Sequence, residues 1–303
     1  MKKIFFLFLS IFTRDKLVKK YIKHNLNHFT LKNRYTKKSI ILVEFNGWSL
    51  QHIIISYIAN FLANKFSSKI YAYPGYVLDK YTIDFKSKIK FFLSNFFPIK
   101  QFLIYTSFGT KKFFYPSINS LDLDNARKIY LNLLKKINSN DDVVDIKINN
   151  VPIGDLIYDS YLKFYKLPTL NISKIDFKNF LFESIKSFLF WENYLKKNNV
   201  KGIVFTHTVY SGAVLIRIAA YKYPAIKLIS GNSNSVYNFN KNNFNPWLDF
   251  RNLKNDFNKL TKTEKMKGIK LSKKLIEERI NGIENSNLNS AKSSPYSLKK
   301  QKR

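Results

Sequence analysis

The sequence IILVEF at residues 40–45, followed by the turn NGWS at 46–49, decides the predicted fold. The first six residues are almost all aliphatic or aromatic and rich in β-branching, as expected of a strand buried on both faces. Apolar residues then recur at helical spacing through residues 50–66, and KIYAY at 69–73 forms a second short apolar run. A strand, a helix and a strand in this order predict two parallel strands joined by a right-handed crossover.

A second unit of the same kind begins with GIVFT at residues 202–206. The turn HTVYS follows it, then a helical pattern at 212–223 and the strand sequence IKLIS at 226–230. Between the two units, QFLIYTS at 101–107 predicts a third strand. The repeated pattern predicts an α/β fold with a Rossmann-like parallel sheet flanked by helices.

The middle of the chain favours helices at 83–97, 121–137, 156–165 and 177–197, and an edge strand at 143–148. These segments carry apolar residues at helical spacing, whereas the edge strand is a short β-branched run. Helices of this length between the strand segments are typical of the connections in a parallel α/β sheet.

The composition divides the chain into three regions. Residues 1–38 predict a basic amphipathic helix, which either lies on an anionic membrane surface or packs on the following domain. Residues 39–282 predict the Rossmann-like domain, whose last part, 257–280, is a charged helical stretch. Residues 283–303 are rich in Ser, Asn and Lys without periodicity, so we expect a disordered tail.

The chain has no cysteine and a net charge of +32. The absence of cysteine excludes disulfides and thiol catalysis, and it suits a cytoplasmic location. The charge makes a basic polyanion-binding or nucleic-acid-binding α/β protein the alternative function. The lysines are scattered, however, and no recognised nucleic-acid motif accompanies them, so nucleic acid is not the expected partner.

Two turns fall where an open α/β sheet binds ligands, beyond the carboxyl ends of its strands. In the first turn we predict that Gly47 and His52 bind substrate. A glycine allows close approach of the backbone, and a helix N-terminus offers free N–H groups to a phosphate or a sugar hydroxyl. The alternative is a plain tight turn.

In the second turn His207 directly follows a predicted strand, so it is the candidate general base toward an acceptor hydroxyl. Tyr210 and Ser211, where the next helix begins, and Arg217 farther along it are the candidate substrate-binding residues. The alternative for His207 is a hydrogen-bonded structural histidine. The alternative for Arg217 is an ion pair with an acid.

Asp155 and Asp159 are four residues apart, so on a helix their carboxylates share one face. Such a pair can perform acid–base chemistry or hold a metal. We predict a catalytic role for Asp155 and a substrate-binding role for Asp159. The alternative for Asp155 is an N-cap or an acid in the first turn of the helix. The four histidines lack zinc-binding spacing, so no metal site is predicted.

Three segments together resemble bacterial capsule or surface-polysaccharide biosynthesis proteins of the glycosyltransferase-B type. They are IILVEFNGWSLQHIIISYIANFLA at 40–63, VPIGDLIYDSYLKFY at 151–165 and GIVFTHTVYSGAVLIRIAAYKYPAIKLIS at 202–230. The resemblance concerns residues 40–282 and the pattern of elements, not a diagnostic catalytic motif.

The resemblance implies two Rossmann-like domains that face a cleft, with the nucleotide-sugar donor held mainly by the C-terminal domain. Gly47, Asp155 and His207 then line the acceptor side. The implied reaction is glycosyl transfer to a glycan or lipid-linked acceptor, on the cytoplasmic side and peripheral to the inner membrane. The donor is a substrate, and no tightly bound cofactor is expected.

One departure from this family concerns length. Its members continue into a second Rossmann-like domain, whereas this sequence turns polar soon after Gly282. We therefore expect an acceptor half that is truncated, inactive alone and dependent on a partner chain for the donor domain.

Overall fold

The computed structural model describes residues 16–29, 38–45, 52–75, 85–98, 101–116, 120–231, 235–244 and 253–280. The chain divides into two compact units, Met1–Trp247 and Leu248–Arg303. Gly47 and the tail at 283–303 lie outside the described residues. None of the described helices combines the length and the apolar character that crossing a membrane requires.

The first unit is built on a six-stranded sheet and a separate two-stranded hairpin. The strands are β1 (Ser39–Phe45), β2 (Lys69–Pro74), β3 (Thr110–Phe113), β4 (Lys147–Ile148), β5 (Val151–Pro152), β6 (Asn199–Val204), β7 (Lys227–Gly231) and β8 (Val236–Phe239). The order in the large sheet is β3-β2-β1-β6-β7-β8, and β4 pairs with β5 in the hairpin. All neighbours in the large sheet are parallel except β7 and β8.

This strand order makes β1 and β6 the switch point of the sheet. From β1 the chain proceeds outward to β2 and β3, and it then returns to β6 on the other side of β1. Both strands run in the same direction, with Val43 beside Val204. The predicted parallel sheet is confirmed, and the carboxyl ends of β1 and β6 lie at the same edge of it.

Helices connect the strands of the first unit. They are α1 (Lys16–His28), α2 (His52–Phe66), α3 (Phe85–Leu93), α4 (Gln101–Ser107), α5 (Ser120–Leu134), α6 (Asn140–Val144), α7 (Gly154–Tyr165), α8 (Ile175–Lys197) and α9 (Val214–Lys222). A 3₁₀ turn, Ser211–Ala213, immediately precedes α9. The second unit contains α10 (Leu253–Lys259) and α11 (Lys262–Ile280). The predicted helices at 83–97, 121–137, 156–165 and 177–197 are present, with shifted ends.

The sheet has an apolar layer on each face, because alternate side chains of a strand point in opposite directions. Ile41 and Val43 of β1 pack with residues of α2 and α4. Ile40 and Leu42 belong to the other layer, which includes residues of α7, α8 and α9. The IILV segment is therefore buried on both sides, as its apolar run predicts.

The prediction of a strand at 101–107 is wrong, because these residues form α4. Phe102 and Tyr105 face the sheet layer, whereas Leu103 and Ile104 pack against α1. A helix covered on two sides has no polar face, so its sequence does not show the helical alternation that separates helix from strand. The third strand of the sheet is β3, which follows α4 directly.

The edge strand predicted at 143–148 is also largely wrong. Its first residues end the short helix α6, and only Lys147–Ile148 are extended, in the β4–β5 hairpin. A capping box starts α6: Asp142 N donates to Ser139 Oγ at 3.2 Å, and Ser139 N donates to the Asp142 carboxylate at 2.8 Å. This local capping favours helix over strand at these residues.

Of the two alternatives for the N-terminal helix, packing on the domain is observed. Val18, Tyr21 and Ile22 of α1 are buried. Asn25 anchors the helix further, since its Nδ2 donates to Ser107 Oγ of α4 at 2.9 Å. The apolar face of α1 therefore lies inside the protein.

Asn95 closes the outer edge of β3. Its Oδ1 accepts from Phe113 N at 2.8 Å and its Nδ2 donates to Phe113 O at 3.0 Å, so the side chain replaces a neighbouring strand. We expect Asn95→Ala to lower the free energy of unfolding by about 1–3 kcal/mol, because both backbone groups lose their partner. Asn125→Ala, at an exposed position on α5, is the matched control. Equal denaturant midpoints for the two variants would contradict this role.

Candidate functional site

The site centres on Glu44, near the carboxyl end of β1. Its side chain is only 5% exposed. Glu44 Oε2 accepts from Thr206 N at 2.5 Å and from Thr206 Oγ1 at 2.8 Å. One carboxylate oxygen therefore joins the ends of β1 and β6, at the switch point where open α/β sheets bind their ligands.

Thr206 continues the chain of hydrogen bonds to His207. Thr206 Oγ1 lies 2.8 Å from His207 Nδ1. A hydroxyl has one proton to donate, so when it donates to an ionised Glu44 it accepts from the imidazole. That arrangement fixes the proton of His207 on Nδ1 and leaves Nε2 as the basic nitrogen.

The protonation of both ends of this chain is set by burial. Burial raises the pKa of Glu44 from 4.5 to about 7, although the two hydrogen bonds from Thr206 oppose this rise. Burial, and to a lesser extent the positive charge of Lys163, lower the pKa of His207. The site at neutral pH thus contains a neutral imidazole linked to a carboxyl group that titrates near neutrality.

Two glycines make room for this arrangement. A Cβ atom on Gly75, directly after β2, would overlap the Glu44 carboxylate. A Cβ atom on Gly212, in the 3₁₀ turn, would overlap the carbonyl oxygen of Gly75. The chain after β2 and the turn before α9 therefore pack backbone to backbone around Glu44, which only glycine at these positions permits.

The 3₁₀ turn forms the rim beside His207. Tyr210 has φ of 62°, an uncommon conformation for a residue with a side chain. The Lys163 Nζ of α7 lies 3.9 Å from the centre of the Tyr210 ring, a cation–π contact. Ser211 N donates to Ser160 Oγ at 2.6 Å, which fastens the turn to α7. The rim is thus held in a strained conformation by α7, as binding sites often are.

Arg217 and Asp155 form a bidentate ion pair that joins α9 to α7. Arg217 Nη1 donates to Asp155 Oδ1 at 3.1 Å, and Arg217 Nη2 donates to Asp155 Oδ2 at 2.8 Å. The guanidinium carbon also lies 4.7 Å from the centre of the Phe244 ring. The ion-pair alternative for Arg217 is confirmed. Asp155 is not the N-cap, because that residue is Ile153 and no side chain caps the helix, but it lies in the first turn of α7, as the first-turn alternative predicts.

Asp159 lies one turn farther along α7 and is exposed. Burial of the carboxyl group and then the charge of Asp155 raise the pKa of Asp159. The predicted common face is present, but both oxygens of Asp155 are engaged by Arg217. Within the described ranges, no three His, Asp or Glu side chains are grouped closely enough to hold a metal ion.

His52 is placed differently from its prediction. It is 1% exposed and lies between aromatic rings, with its ring centre 5.7 Å from that of Tyr21 and 5.4 Å from that of Tyr105. Neither ring nitrogen has a hydrogen-bond partner among the described residues. Burial lowers the pKa of His52 to about 4. A side chain so enclosed does not contact a ligand, so its prediction as a substrate-binding residue does not fit the structure.

The structure therefore brings His207, Tyr210 and Ser211 to one rim and adds three residues that the sequence did not single out: Glu44, Thr206 and Lys163. The available signal for Glu44 was an acid inside an otherwise apolar strand, which needs a buried partner. The chain matches no family model, no curated protein and no solved structure in the comparisons made with known proteins.

Glu44→Gln is expected to change how stability depends on pH. The folded state binds the Glu44 proton more tightly than the unfolded state does. The contribution of Glu44 to the free energy of unfolding is therefore largest below pH 4.5, and it is lost as the pH rises from 4.5 to about 7. The variant removes this loss, worth up to about 3 kcal/mol. Denaturant unfolding at pH 5 and pH 8 measures it, with Glu277→Gln as the exposed control. An unchanged pH dependence in Glu44→Gln would show that Glu44 has an ordinary pKa.

His52→Leu is expected to have the opposite effect. The pKa of His52 is about 4 in the folded state and 6.5 ordinarily, so protons favour unfolding and stability falls as pH drops from 6.5 to 4. The variant should therefore have a larger free energy of unfolding than the wild type at pH 5, and the difference between the two proteins should be smaller at pH 8. His28→Leu, at an exposed histidine, is the control. A variant less stable than the wild type at pH 5 would mean that the imidazole has a partner.

Proposed function

We propose that this protein transfers a glycosyl group from a nucleotide sugar to a hydroxyl of a glycan or lipid-linked acceptor, in surface-polysaccharide biosynthesis. His207 acts as the general base. The observation that carries the proposal is the chain of hydrogen bonds from Glu44 through Thr206 to His207, at the switch point of a Rossmann-like sheet. A carboxylate that orients an imidazole is the usual arrangement for removing a proton from a hydroxyl.

In the proposed step the acceptor hydroxyl gives its proton to His207 Nε2 as its oxygen attacks the anomeric carbon of the donor. The bond from that carbon to the phosphate oxygen breaks, and the nucleoside diphosphate leaves with the electron pair. The lowered pKa keeps His207 neutral at pH 7, so that it can accept the proton. The resulting imidazolium is stabilised by Glu44 through the hydroxyl of Thr206.

The neighbouring residues have supporting roles in this proposal. Lys163 supplies positive charge near His207, where the diphosphate charge develops. Asp159, which is exposed, offers oxygen atoms to sugar hydroxyls, and the ring of Tyr210 offers an apolar face to a sugar. Ser211 is 5% exposed and holds the turn in place instead. Asp155, predicted as catalytic, instead positions Arg217 and the start of α9.

The donor side of the reaction comes from the resemblance rather than from the described residues. In proteins of the glycosyltransferase-B type the nucleotide sugar is held mainly by a facing domain. We propose that a partner chain supplies that domain, and that the reaction takes place on the cytoplasmic side, at the inner membrane. The alternative, binding of polyanions through the net charge of +32, predicts steep salt dependence and no contribution from His207.

Thr206→Val tests the proposal, because valine keeps the shape of threonine and removes the hydroxyl. We expect kcat to fall about 100-fold with KM nearly unchanged, since the base loses its orientation and its link to Glu44. Thr206→Ser should restore turnover. Turnover is measured as the release of nucleoside diphosphate from UDP-, GDP- and dTDP-sugars, and a cell membrane fraction supplies the acceptor and the partner chain. His28→Gln is the control.

Nitrogen-15 NMR of the histidine rings tests the same chain of hydrogen bonds without turnover. The wild type should show the Nδ1–H form of His207, assigned with His207→Gln, and Thr206→Val should lose that preference. If Thr206→Val keeps both its turnover and its tautomer, the general-base role is wrong. If the tautomer changes but the wild type releases no diphosphate from any donor sugar, the hydrogen-bond chain stands and the glycosyl-transfer assignment fails.

A further inference from the structure

A stripe of apolar side chains on and just after α3 is turned toward solvent. Its members, spaced 3, 4, 7 and 8 residues from the first, are Ile89 (40% exposed), Phe92 (64%), Leu93 (48%), Phe96 (59%) and Phe97 (70%). We call these five residues the aromatic stripe. This spacing normally marks the face of a helix that packs on a core, so its exposure requires an explanation.

Contacts on the other side of α3 keep the aromatic stripe exposed. Phe91 is 8% exposed and packs with Phe45 and Phe102 in the sheet layer. Asn95 binds the backbone of Phe113 in β3 on both its donor and its acceptor side. These anchors hold the opposite side of the segment, so the aromatic stripe cannot turn inward without breaking them. An exposed apolar patch of this kind marks an interaction surface.

Lysines surround the stripe. Lys86, Lys88 and Lys90 of α3 are exposed. A cleft of about 870 Å³ beside the stripe is lined by Lys69, Lys88, Lys111 and Lys112, together with Phe92 and Phe96. Among the residues that the structure describes, no acidic side chain lines it. Six lysines thus lie next to an exposed apolar surface, and the cleft beside it has no carboxylate from the described residues in its lining. This is the composition of a segment that binds an anionic lipid interface.

We propose that the aromatic stripe docks this protein on the surface of an anionic lipid bilayer. The phenyl and aliphatic side chains enter the boundary between headgroups and acyl chains, and the lysines bind the lipid phosphates. The membrane contact expected at the N-terminus is thereby assigned to α3 instead of α1, whose apolar face is buried. The surface lies at the β3 edge, apart from His207, and the proposal does not depend on the proposed chemistry.

Other occupants fit this surface less well. A second copy docked through the same face would bring two groups of six lysines together, which repel each other. A nucleic-acid strand stacks its bases on aromatic rings, but Ile89 and Leu93 offer no ring to stack on. An added β-strand would need the open edge of β3, and the side chain of Asn95 occupies the backbone groups of Phe113 there.

Co-sedimentation of the full chain with lipid vesicles tests the proposal. The vesicles are phosphatidylcholine alone, or phosphatidylcholine with about 30% phosphatidylglycerol, over a range of salt concentrations. We expect binding to the anionic vesicles that weakens as salt increases. Phe92→Ser/Phe96→Ser/Phe97→Ser should bind at least about tenfold more weakly, because each serine removes a ring that enters the bilayer in the wild type.

Matched variants control for general effects. Phe61→Ser/Leu131→Ser/Ile175→Ser removes three apolar side chains of similar exposure, 63%, 57% and 67%, from other elements, and should bind like the wild type. Lys86→Gln/Lys88→Gln/Lys112→Gln should lose about fivefold in affinity per lysine for anionic vesicles. Lys128→Gln/Lys135→Gln/Lys136→Gln, at exposed positions on and just after α5, should lose less. His207→Ala should bind fully, which separates this proposal from the proposed reaction.

Phe92→Trp keeps the test valid if the triple serine variant does not fold. Its added indole fluorescence should shift to shorter wavelength with anionic vesicles and be quenched by brominated acyl chains, beyond what the wild type shows. The proposal is overturned if the stripe and control variants bind vesicles equally. It is also overturned if the wild type does not bind vesicles and the stripe variants lose a different property instead, either self-association or binding of a single-stranded oligonucleotide.

Discussion

The carboxylate of Glu44 is the group on which the arrangement of the site depends. A buried charge is costly unless hydrogen bonds replace its water, and Thr206 provides two of them from the neighbouring strand. To provide both, Thr206 must present its backbone N–H and its hydroxyl to one oxygen, which determines where the following residue, His207, lies. Gly75 and Gly212 then leave the space that the carboxylate needs. The polar centre is therefore fixed by backbone as well as by side chains.

Tyr105 links this centre to the second buried titratable group. Its hydroxyl donates to the backbone oxygen of Glu44 at 2.7 Å, and its ring meets that of His52 edge to face. Glu44 keeps its proton up to a pH of about 7, where it titrates, whereas His52 stays neutral down to a pH of about 4. Their contributions to pH-dependent stability have opposite signs and overlap between pH 4.5 and 6.5, so they oppose each other in the wild type. A flat pH profile would therefore conceal two strongly perturbed groups.

Local patterns determine how much of this structure the sequence predicts. The two strand-helix-strand units, with their apolar runs and turn residues, are found where periodicity places them. His207, Tyr210 and Ser211 lie near one another because all three belong to the short segment that follows β6. The prediction failed at α4, whose burial on two sides removes the helical signal. It also missed pairs remote in sequence: Asp155 and Arg217 are 62 residues apart, and Glu44 and Thr206 are 162 apart. No local pattern encodes such partners.

Sheet topology also relates the aromatic stripe to the proposed reaction. Phe113, which binds Asn95 at the base of the stripe, ends β3 at the same edge of the sheet where Glu44 and Thr206 lie. Two strands, β2 and β1, separate β3 from β6, so three strand spacings, or about 15 Å, lie between them. A bilayer that binds the stripe would thus lie beside the edge of the sheet to which His207 belongs. If both proposals hold, a lipid-linked acceptor would be presented from that bilayer, and the exposed phenyl rings would serve the same reaction as His207.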